Sequence, residues 1–180
     1  MQPRRGSAVQ REIRQSKPFR SPSHEAVIAL LRTAEVVRRF LAAAVAPAGL
    51  TLQQYNVLRI LRGAGEAGLP TLEVADRMIE HTPGVTRLMD RMEGQGWVTR
   101  ERCPTDRREV HCRISAAGLA LLERIDPAVE QTDRQAVGSV DDRSLRKLIT
   151  TLDAVRAAHA SAASGKQARR AESTSRMGGY

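Results

Sequence analysis

Residues at the start of one predicted helix have the sizes and groups that suit contact with the base edges of DNA: Thr82, Pro83, Gly84, Thr86 and Arg87. A helix that enters the major groove needs a compact solvent face near its N-terminus, so that its backbone and short side chains approach the bases. The free N–H groups of the first turn also bind phosphate. We expect Arg87 to pair with guanine through two parallel hydrogen bonds and Thr86 to contact a thymine methyl group.

Two more charged residues, Asp90 and Arg91, follow Arg87 along the same predicted helix. Their position predicts that they orient neighbouring side chains or reach the DNA backbone. The competing interpretation is an ordinary amphipathic surface helix with a Pro-Gly start. A hairpin predicted directly after this helix favours the DNA-reading interpretation.

That hairpin is predicted from two alternating runs on either side of a polar bend. The runs are 97–102 and 109–114, and the bend between them holds three charged residues: Asp106, Arg107 and Arg108. A long arginine at the tip of a short, stiff ribbon suits the narrow, electronegative minor groove. On the strands, a second set of arginines is expected to contact the DNA backbone, unless that strand face is simply solvated: Arg100, Arg102 and Arg113.

Capping signals and apolar residues at helical spacing predict the elements that precede these two. A long first helix begins at Ser21 or Ser23 and ends at Pro47. A second helix begins with a capping box between Thr51 and Gln54, in which each residue satisfies the other's backbone N–H. A short third helix is expected to bury one set of side chains: Leu72, Ala75, Met78 and Ile79.

The later helices also have start signals. Thr82 as N-cap and Pro83 as first helical residue begin the DNA-reading helix. Ser115 caps a helix directly after the hairpin, and Ser139 or Asp141 caps a last one. The chain is therefore predicted to be mainly α-helical with one small β-hairpin.

Long helix, helix, short helix, capped helix and hairpin follow one another in the winged helix-turn-helix order. The stretch 50–122 resembles the MarR family of transcriptional regulators, through these residues: Leu50-Thr51-Leu52-Gln53-Gln54-Tyr55, Pro83-Gly84-Val85-Thr86-Arg87-Leu88 with Asp90-Arg91, Gly96-Trp97-Val98-Thr99-Arg100, Asp106-Arg107-Arg108, and Ile114-Ser115-Ala116-Ala117-Gly118. The flanking helices match the family's dimerisation helices in place and length. The resemblance thus covers about residues 23–160.

The resemblance implies a domain organisation. A winged helix DNA-binding module occupies about 50–114, and dimerisation helices occupy 23–47 and 115–160. Residues 1–22 and 161–180 lie outside this MarR-type domain and are interpreted as disordered basic arms. In the family a wing arginine enters the minor groove, and the resemblance assigns that role to Arg107, with Asp106 and Arg108 fixing the tip or touching phosphate.

Apolar stripes on the first and last helices favour a homodimer. Each stripe runs for about twenty residues, roughly 30 Å of helix, and the DNA-binding module cannot cover both from one side. An isologous dimer would cover them and would place two reading helices about one DNA turn apart. The expected partners are a second copy of the chain and double-stranded DNA carrying a pseudo-palindromic operator. The alternative is intramolecular packing in a monomer.

The resemblance also implies a small-molecule ligand. In the family, small aromatic or amphipathic anions often bind between the dimerisation helices and the reading module. Residues of the first two helices are candidates to line such a cleft: Arg38, Arg39, Phe40, Tyr55 and Arg59. The alternative is that the two aromatic residues belong to the core and the arginines to the surface.

Two cysteines, Cys103 and Cys112, are candidates for redox sensing because they lie near opposite positions of the predicted hairpin. A disulfide there would distort the wing, although such bonds have demanding geometry. Arg102 and Arg113 are adjacent in sequence and only weakly favour the thiolate. Two uninvolved thiols are the favoured interpretation.

Other function classes lack support in the sequence. The longest weakly polar run, 41–50, falls far short of the ~20 residues that cross a bilayer, and the charged N-terminal residues do not resemble a secretion signal. With two cysteines, a reducing cytoplasm is the expected compartment. The four histidines are scattered, so no metal site is expected. We find no nucleotide-binding loop and no nucleophile with a base, so no catalytic residue, cofactor or enzyme activity is expected.

The net charge of +9 is concentrated at the chain ends. Residues 1–22 carry six basic side chains and one acidic, and residues 161–180 carry four basic and one acidic. The family resemblance implies a sequence-specific transcriptional regulator, a repressor relieved by a ligand. The basic ends favour an alternative, a dimeric DNA-organising or protein-interaction module with little sequence preference. A thiol-based redox regulator is a third possibility.

Overall fold

The structure is a computed structural model that describes residues 7–80, 84–102 and 110–158. The chain divides into two compact units, Met1–Ala136 and Val137–Tyr180. That division falls inside the range 23–160, which the sequence treats as one domain. In the described residues the fold is mainly helical with a small antiparallel sheet, which confirms the predicted fold class.

The N-terminal segment is folded from residue 7 onwards, so the prediction of a disordered arm over 1–22 is wrong for residues 7–22. Helix α1 (Ala8–Glu12) begins at Ser7, whose hydroxyl accepts a hydrogen bond from the Gln10 N–H. Glu12 pairs with Arg32 at 3.4 Å, which attaches this segment to the long helix that follows. Side-chain bonds from Gln10 to the Gln15 and Lys17 carbonyl oxygens add to these contacts.

Helices α2 (Pro22–Val45) and α3 (Leu52–Ala64) begin where the capping signals predict. Ser21 caps α2 by accepting from the His24 N–H. Thr51 and Gln54 form the predicted capping box, with bonds of 2.9 and 3.2 Å. A 3-10 turn at Ala46–Ala48 joins the two helices and ends at Gly49, whose φ of 76° is left-handed.

Helix α4 (Thr71–Arg77) corrects the predicted inward face. Val74 and Met78 are buried, whereas Leu72 is 80% and Ile79 is 86% exposed. The helix ends at Arg77 and Met78 has extended backbone, so Ile79 lies beyond the helix and no longer follows helical spacing. Prediction from a 3.6-residue period fails where the helix itself has stopped.

The hairpin prediction is confirmed by strands β2 (Val98–Arg102) and β3 (Val110–Ile114), which pair antiparallel from Val98 with Ile114 to Arg102 with Val110. A third, two-residue strand, β1 (Leu69–Pro70), pairs with the other edge of β3. Sequence patterning missed β1 because two residues are too few to show alternation. The sheet order is β1–β3–β2.

One apolar core lies among α3, the sheet and the helix that precedes the hairpin, α5 (Val85–Gly94). Its fully buried members include Val57, Leu58, Met89, Met92 and Cys112. The buried residues are Tyr55, Val57, Leu58 and Leu61 on α3 and Val85, Leu88, Met89 and Met92 on α5. The core fixes the rotation of α5 about its axis and hence the side chains that it exposes.

Helix α6 (Ala116–Val137) begins at Ser115, which caps it as predicted through a 3.0 Å bond from the Gly118 N–H. A Cβ at Gly118 would lie 2.3 Å from the Trp97 carbonyl oxygen, so α6 and the start of the wing approach too closely for any side chain there. In the second unit a helix covers 142–158 (α7), capped by Asp141 through a 3.0 Å bond from the Ser144 N–H. No described helix is long and apolar enough to span a membrane.

Candidate nucleic-acid interface

The DNA-reading helix, α5, begins two residues later than its sequence signal indicates. Its N-cap is Gly84, with a left-handed φ of 87°, and its first helical residue is Val85. Thr82 and Pro83, the predicted N-cap and first helical residue, lie outside the described residues. Glycine fits this cap because it adopts positive φ without steric cost.

Two faces of α5 have opposite character. Val85, Leu88, Met89 and Met92 are buried, and on the other side Gly84, Thr86, Arg87, Asp90 and Arg91 are exposed. The first turn thus presents small residues and one arginine to solvent, which is the shape that the major groove admits. The sequence-predicted reading residues that the structure describes all lie on this exposed side.

Arg100 connects α5 to the wing. From strand β2 its guanidinium binds the Asp90 carboxylate at 2.7 Å and the Glu93 carboxylate at 2.6 Å. Its side chain is 21% exposed, and the hydrogen bond to Glu93 holds the pKa of Arg100 above its ordinary value. The predicted DNA-backbone contact for Arg100 is corrected: this arginine is engaged within the protein. Asp90, which is expected to orient a neighbour or reach the DNA backbone, binds Arg100 in the structure.

Sequence reasoning missed this pairing, above all the part played by Glu93. Two features of the sequence could have indicated it. Asp90 and Glu93 are three residues apart and therefore share one helix face, and an arginine lies on the strand that follows. Because two carboxylates flank one guanidinium, the pairing fixes both the position of β2 and the side of α5 that faces away from it.

Arginines elsewhere in the wing have different surroundings. Arg102 is exposed at the end of β2. Arg113 on β3 pairs with Glu101 at 2.5 Å and donates to the Glu66 carbonyl at 2.7 Å, so it is tied to the sheet and is not a free DNA-backbone contact as predicted. Asp106, Arg107 and Arg108 at the hairpin bend lie outside the described residues.

Cys112 does not have the setting of a redox sensor. It lies opposite Arg100 in the strand register, is fully buried, and has its sulfur 3.3 Å from the Thr71 hydroxyl. Burial raises the pKa of the Cys112 thiol, which disfavours the reactive thiolate. The other candidate, Cys103, lies outside the described residues.

A pocket of about 120 Å³ lies among α2, α3 and the chain that leaves α4. Tyr55 lines it, as the predicted ligand cleft requires, together with Leu41, Leu52, Gln53, Asn56, Met78, Ile79 and Glu80. The other predicted cleft residues do not line this pocket, and their place in a ligand cleft stays a prediction: Arg38, Arg39, Phe40 and Arg59. Phe40 is instead 52% exposed.

The arginines predicted for the cleft are paired with protein groups. Arg38 binds Glu35 and, at 3.4 Å, Glu80, and the bond to Glu35 holds the pKa of Arg38 above its ordinary value. Arg39 also pairs with Glu35, at 3.7 Å. Arg59 donates to the Tyr55 hydroxyl at 2.8 Å and lies 5.8 Å from the centre of that ring. Of the described residues, those lining the pocket include no basic side chain.

Within the described part of the chain, no group of three or more His, Cys, Asp or Glu side chains is placed to hold a metal ion. The geometry that stands out is the exposed first turn of α5 beside the paired strands. Such an arrangement binds a nucleic-acid groove with the helix and the flanking backbone with the ribbon.

Comparison with known proteins agrees with this geometry. The model of the MarR family matches residues 50–110. The homoprotocatechuate degradative operon repressor of Escherichia coli is 28% identical over 126 residues, which are 70% of this chain and 84% of the repressor. A MarR family regulator from Streptomyces coelicolor, solved in complex with DNA, has the same fold, with a TM-score of 0.68 at 23% identity over 78% of this chain and 90% of that one.

The crystal structure of a MarR transcription factor from Planctomyces limnophilus is 35% identical, with a TM-score of 0.59, over 75% of this chain and 98% of that chain. A likeness at this identity over nearly the full length of a relative extends beyond the fold. The chain belongs to the MarR family of DNA-binding transcriptional regulators.

Proposed function

We propose that this regulator is a repressor that binds a pseudo-palindromic operator as a homodimer and releases it when a small molecule binds. The observation that carries the proposal is the exposed first turn of α5, with Thr86 and Arg87 outward and Leu88 buried beneath them. In this proposal Arg87 reads a base pair, Thr86 contacts a thymine methyl group, and Arg91 reaches the backbone.

Arg100 has a positioning role in the proposed interface. Its bonds to Asp90 and Glu93 couple the helix to the ribbon, so that both reach one duplex with a fixed offset. Arg102, exposed at the end of β2, supplies a phosphate contact. Arg107, at the bend outside the described residues, enters the minor groove, and Asp106 and Arg108 hold or flank it.

Exposed apolar side chains support the homodimer. On α2 the exposed apolar side chains that share one face are Val27, Leu30 and Leu31. In the other unit, α7 exposes Leu148, Ile149 and Val155. Contiguous exposed apolar surface on a helix marks an interface, and a two-fold dimer presents two copies of α5 to a palindromic site.

Similar proteins support repression and DNA binding. The relative from Escherichia coli is named as the repressor of a degradative operon, and the relative from Streptomyces coelicolor was solved on DNA. The pocket beneath the helix-turn-helix is the candidate small-molecule sensor in this chain.

The pocket is placed to affect DNA binding, because one wall is the link between α4 and α5. Met78, Ile79 and Glu80 belong to that link and line the pocket. The Ile79 N–H donates to the Asn56 side-chain oxygen at 2.9 Å, which attaches the link to α3. A ligand that moves this link would change the angle of α5, and a two-headed contact with DNA tolerates little change in spacing.

Substitutions of two arginines test the interface. Selection from random duplexes first gives the operator. Arg87→Ala is expected to lower the preference for that operator over random DNA by roughly tenfold to a hundredfold, whereas Arg107→Ala weakens binding through the minor groove. Arg124→Ala, an exposed arginine on α6, is the control. Footprints of both variants identical to wild type would contradict the assignments.

The DNA-organising alternative is favoured by one observation, the basic excess at the chain ends. Removal of both basic ends, residues 1–22 and 161–180, distinguishes the two functions. A sequence-specific regulator keeps its preference for the operator and loses only part of its salt-dependent affinity. A non-specific DNA-organising protein loses most of its binding.

A further inference from the structure

A wide cleft lies beside the DNA-reading helix, between the C-terminal end of α5 and the first turn of α3. It has a volume of about 640 Å³, opens to solvent, and shares no lining residue with the pocket at Tyr55. Among its described lining residues, Arg91 is the one that carries a charge. We call it the far-side cleft, and it is lined by Ala48, Gly49, Gln54, Arg91, Gly94, Gln95 and Trp97.

The wing and the far-side cleft lie on opposite flanks of α5. Asp90 and Glu93 mark the wing flank, because they bind Arg100 of strand β2. At about 100° per residue, Arg91 and Gln95 lie roughly 150° further around the helix, and both line the cleft. The reading helix therefore has a supporting strand on one flank and an open, positively charged cleft on the other.

A helix that lies in the major groove meets DNA backbone on both of its flanks. The groove is about 12 Å wide, and a helix with its side chains is about 10–12 Å across, so little space remains between the helix and the two strands. In the proposed interface the wing follows the backbone beside Asp90 and Glu93. The far-side cleft then faces the backbone of the other strand.

Arg91 is available to bind a phosphate. It is exposed and pairs with no carboxylate of the described residues, whereas Arg100 on the wing flank binds two. The carbonyl groups at the C-terminal end of α5 are partly neutralised, because those of 91–93 accept hydrogen bonds from the N–H groups of 95–97. The cleft thus presents an unpaired guanidinium to an anion, beside carbonyl groups that are already hydrogen-bonded.

Gln54 adds a hydrogen-bond donor whose position is fixed. Its side-chain oxygen accepts from the Thr51 N–H at 2.9 Å in the capping box of α3, which holds the amide in place and leaves the Nε2 hydrogens to donate elsewhere. A donor that is already held loses less conformational entropy when it binds. Gln95, exposed at the C-cap of α5, supplies another amide on the α5 side of the cleft.

We propose that the far-side cleft holds the sugar–phosphate backbone of the DNA strand opposite the wing. Arg91 binds a phosphate by charge, and the amides of Gln54 and Gln95 donate hydrogen bonds to the same phosphate or to its neighbour. The capping-box glutamine thus has a further role as a DNA contact. The assignment rests on the proposed function, whose base reading by the first turn of α5 does not depend on it.

Gln54→Glu separates the two roles of this residue. Glutamate keeps the capping box but replaces the donating amide with a carboxylate that repels phosphate. We expect affinity for the selected operator, measured by anisotropy of a labelled duplex, to fall at least about tenfold. The free energy of unfolding, measured by chemical denaturation, should not fall, because a carboxylate is favourable in the first turn of a helix.

Gln131→Glu is the matched control. Gln131 is exposed on α6 and lines neither the far-side cleft nor the pocket at Tyr55. The substitution makes the same change of charge away from the proposed contact, and salt screens charges at that range. It should therefore alter operator affinity by less than about twofold.

Arg91→Gln tests the phosphate contact through its salt dependence. Each phosphate contact contributes about 0.9 to the slope of log affinity against log salt concentration, so loss of one contact per chain should lower the slope of a dimer by about two. Preference for the operator over random DNA should stay unchanged, since a phosphate contact carries no base information. Arg124→Gln, exposed on α6, should keep the wild-type slope.

Wild-type operator affinity in Gln54→Glu, equal losses in Gln54→Glu and Gln131→Glu, or a wild-type salt slope in Arg91→Gln would each overturn the assignment. The slope of Arg91→Gln decides the matter if Gln54→Glu lowers the free energy of unfolding. These results leave the proposed function standing as long as the wild-type protein selects an operator. A wild-type protein that selects no operator contradicts the proposed function itself.

Discussion

The winged helix module buries its apolar side chains, whereas the long helix α2 leaves most of its own exposed. In the module, Met89, Met92 and Val98 are at most 1% exposed. Within α2, all of which the structure describes, Val45 is the one buried residue, while Leu31 is 63% and Val27 is 54% exposed. The module completes its core within one chain, and α2 does not.

This difference separates stability from assembly. A helix gains most of its stability from burying its apolar face, so α2 needs a surface that the first unit does not supply. A second copy of the chain supplies such a surface with two-fold symmetry. Substitutions in the module should therefore change the free energy of unfolding, and substitutions on α2 should change the oligomeric state.

The largest effect is expected from the module core. Leu58 is fully buried, and Leu58→Ala should lower the free energy of unfolding by about 2–5 kcal/mol, because it leaves a cavity. Leu72→Ala removes the same atoms from a side chain that is 80% exposed. It should change the free energy of unfolding by less than about 0.5 kcal/mol. Chemical denaturation followed by circular dichroism measures both. Equal losses would contradict the described core.

A charge on the exposed face of α2 tests assembly. Leu31→Glu should raise the dimer dissociation constant roughly thirtyfold or more, because the interface would bury an unpaired carboxylate. Thr33→Glu is the control, since two residues turn the helix by about 200° and place the same charge on the other side. Sedimentation velocity at micromolar concentrations reads both. An unchanged Leu31→Glu dimer would place the interface elsewhere.

A smaller effect is expected where the module meets DNA. Arg100→Gln removes the cation between Asp90 and Glu93 and should cost about 1 kcal/mol of stability and roughly tenfold in operator affinity. Combining it with Glu93→Gln in a double-mutant cycle should show coupling of about 1 kcal/mol. If the two substitutions are additive, the described pairing does not operate in solution.

The smallest expected response is that of the buried thiol. In a Cys103→Ser variant, Cys112 is the remaining cysteine. Because burial raises the pKa of this thiol, its alkylation by iodoacetamide at pH 8 should be at least about tenfold slower in the folded protein than in denaturant. Equal alkylation rates in both conditions would mean that the wing opens readily, and would support redox sensing by the cysteines.

Most of the fold follows from local signals in the sequence. The capping box of Thr51 with Gln54, the caps at Ser21 and Ser115, and the alternation around the hairpin each depend on near neighbours, and the structure confirms them. The misses required non-local information. Ile79 is exposed because α4 stops early, and β1 forms because β3 has a free edge.

The candidate site was predictable in part for the same reason. The exposed face of α5 follows from its helical period, so Thr86 and Arg87 could be placed from sequence. The ion-pair partners of the arginines could not be predicted from sequence. Whether Arg100 binds Glu93, or Arg113 binds Glu101, depends on the strand register and on the distance between elements.

The most direct test is the stoichiometry and symmetry of the protein on its selected operator, measured by sedimentation of the complex together with a hydroxyl-radical footprint. The proposal predicts two chains per duplex and two symmetric protected half-sites about one helical turn apart, roughly 10–11 base pairs. A single chain per duplex, or a footprint without two-fold symmetry, would contradict it.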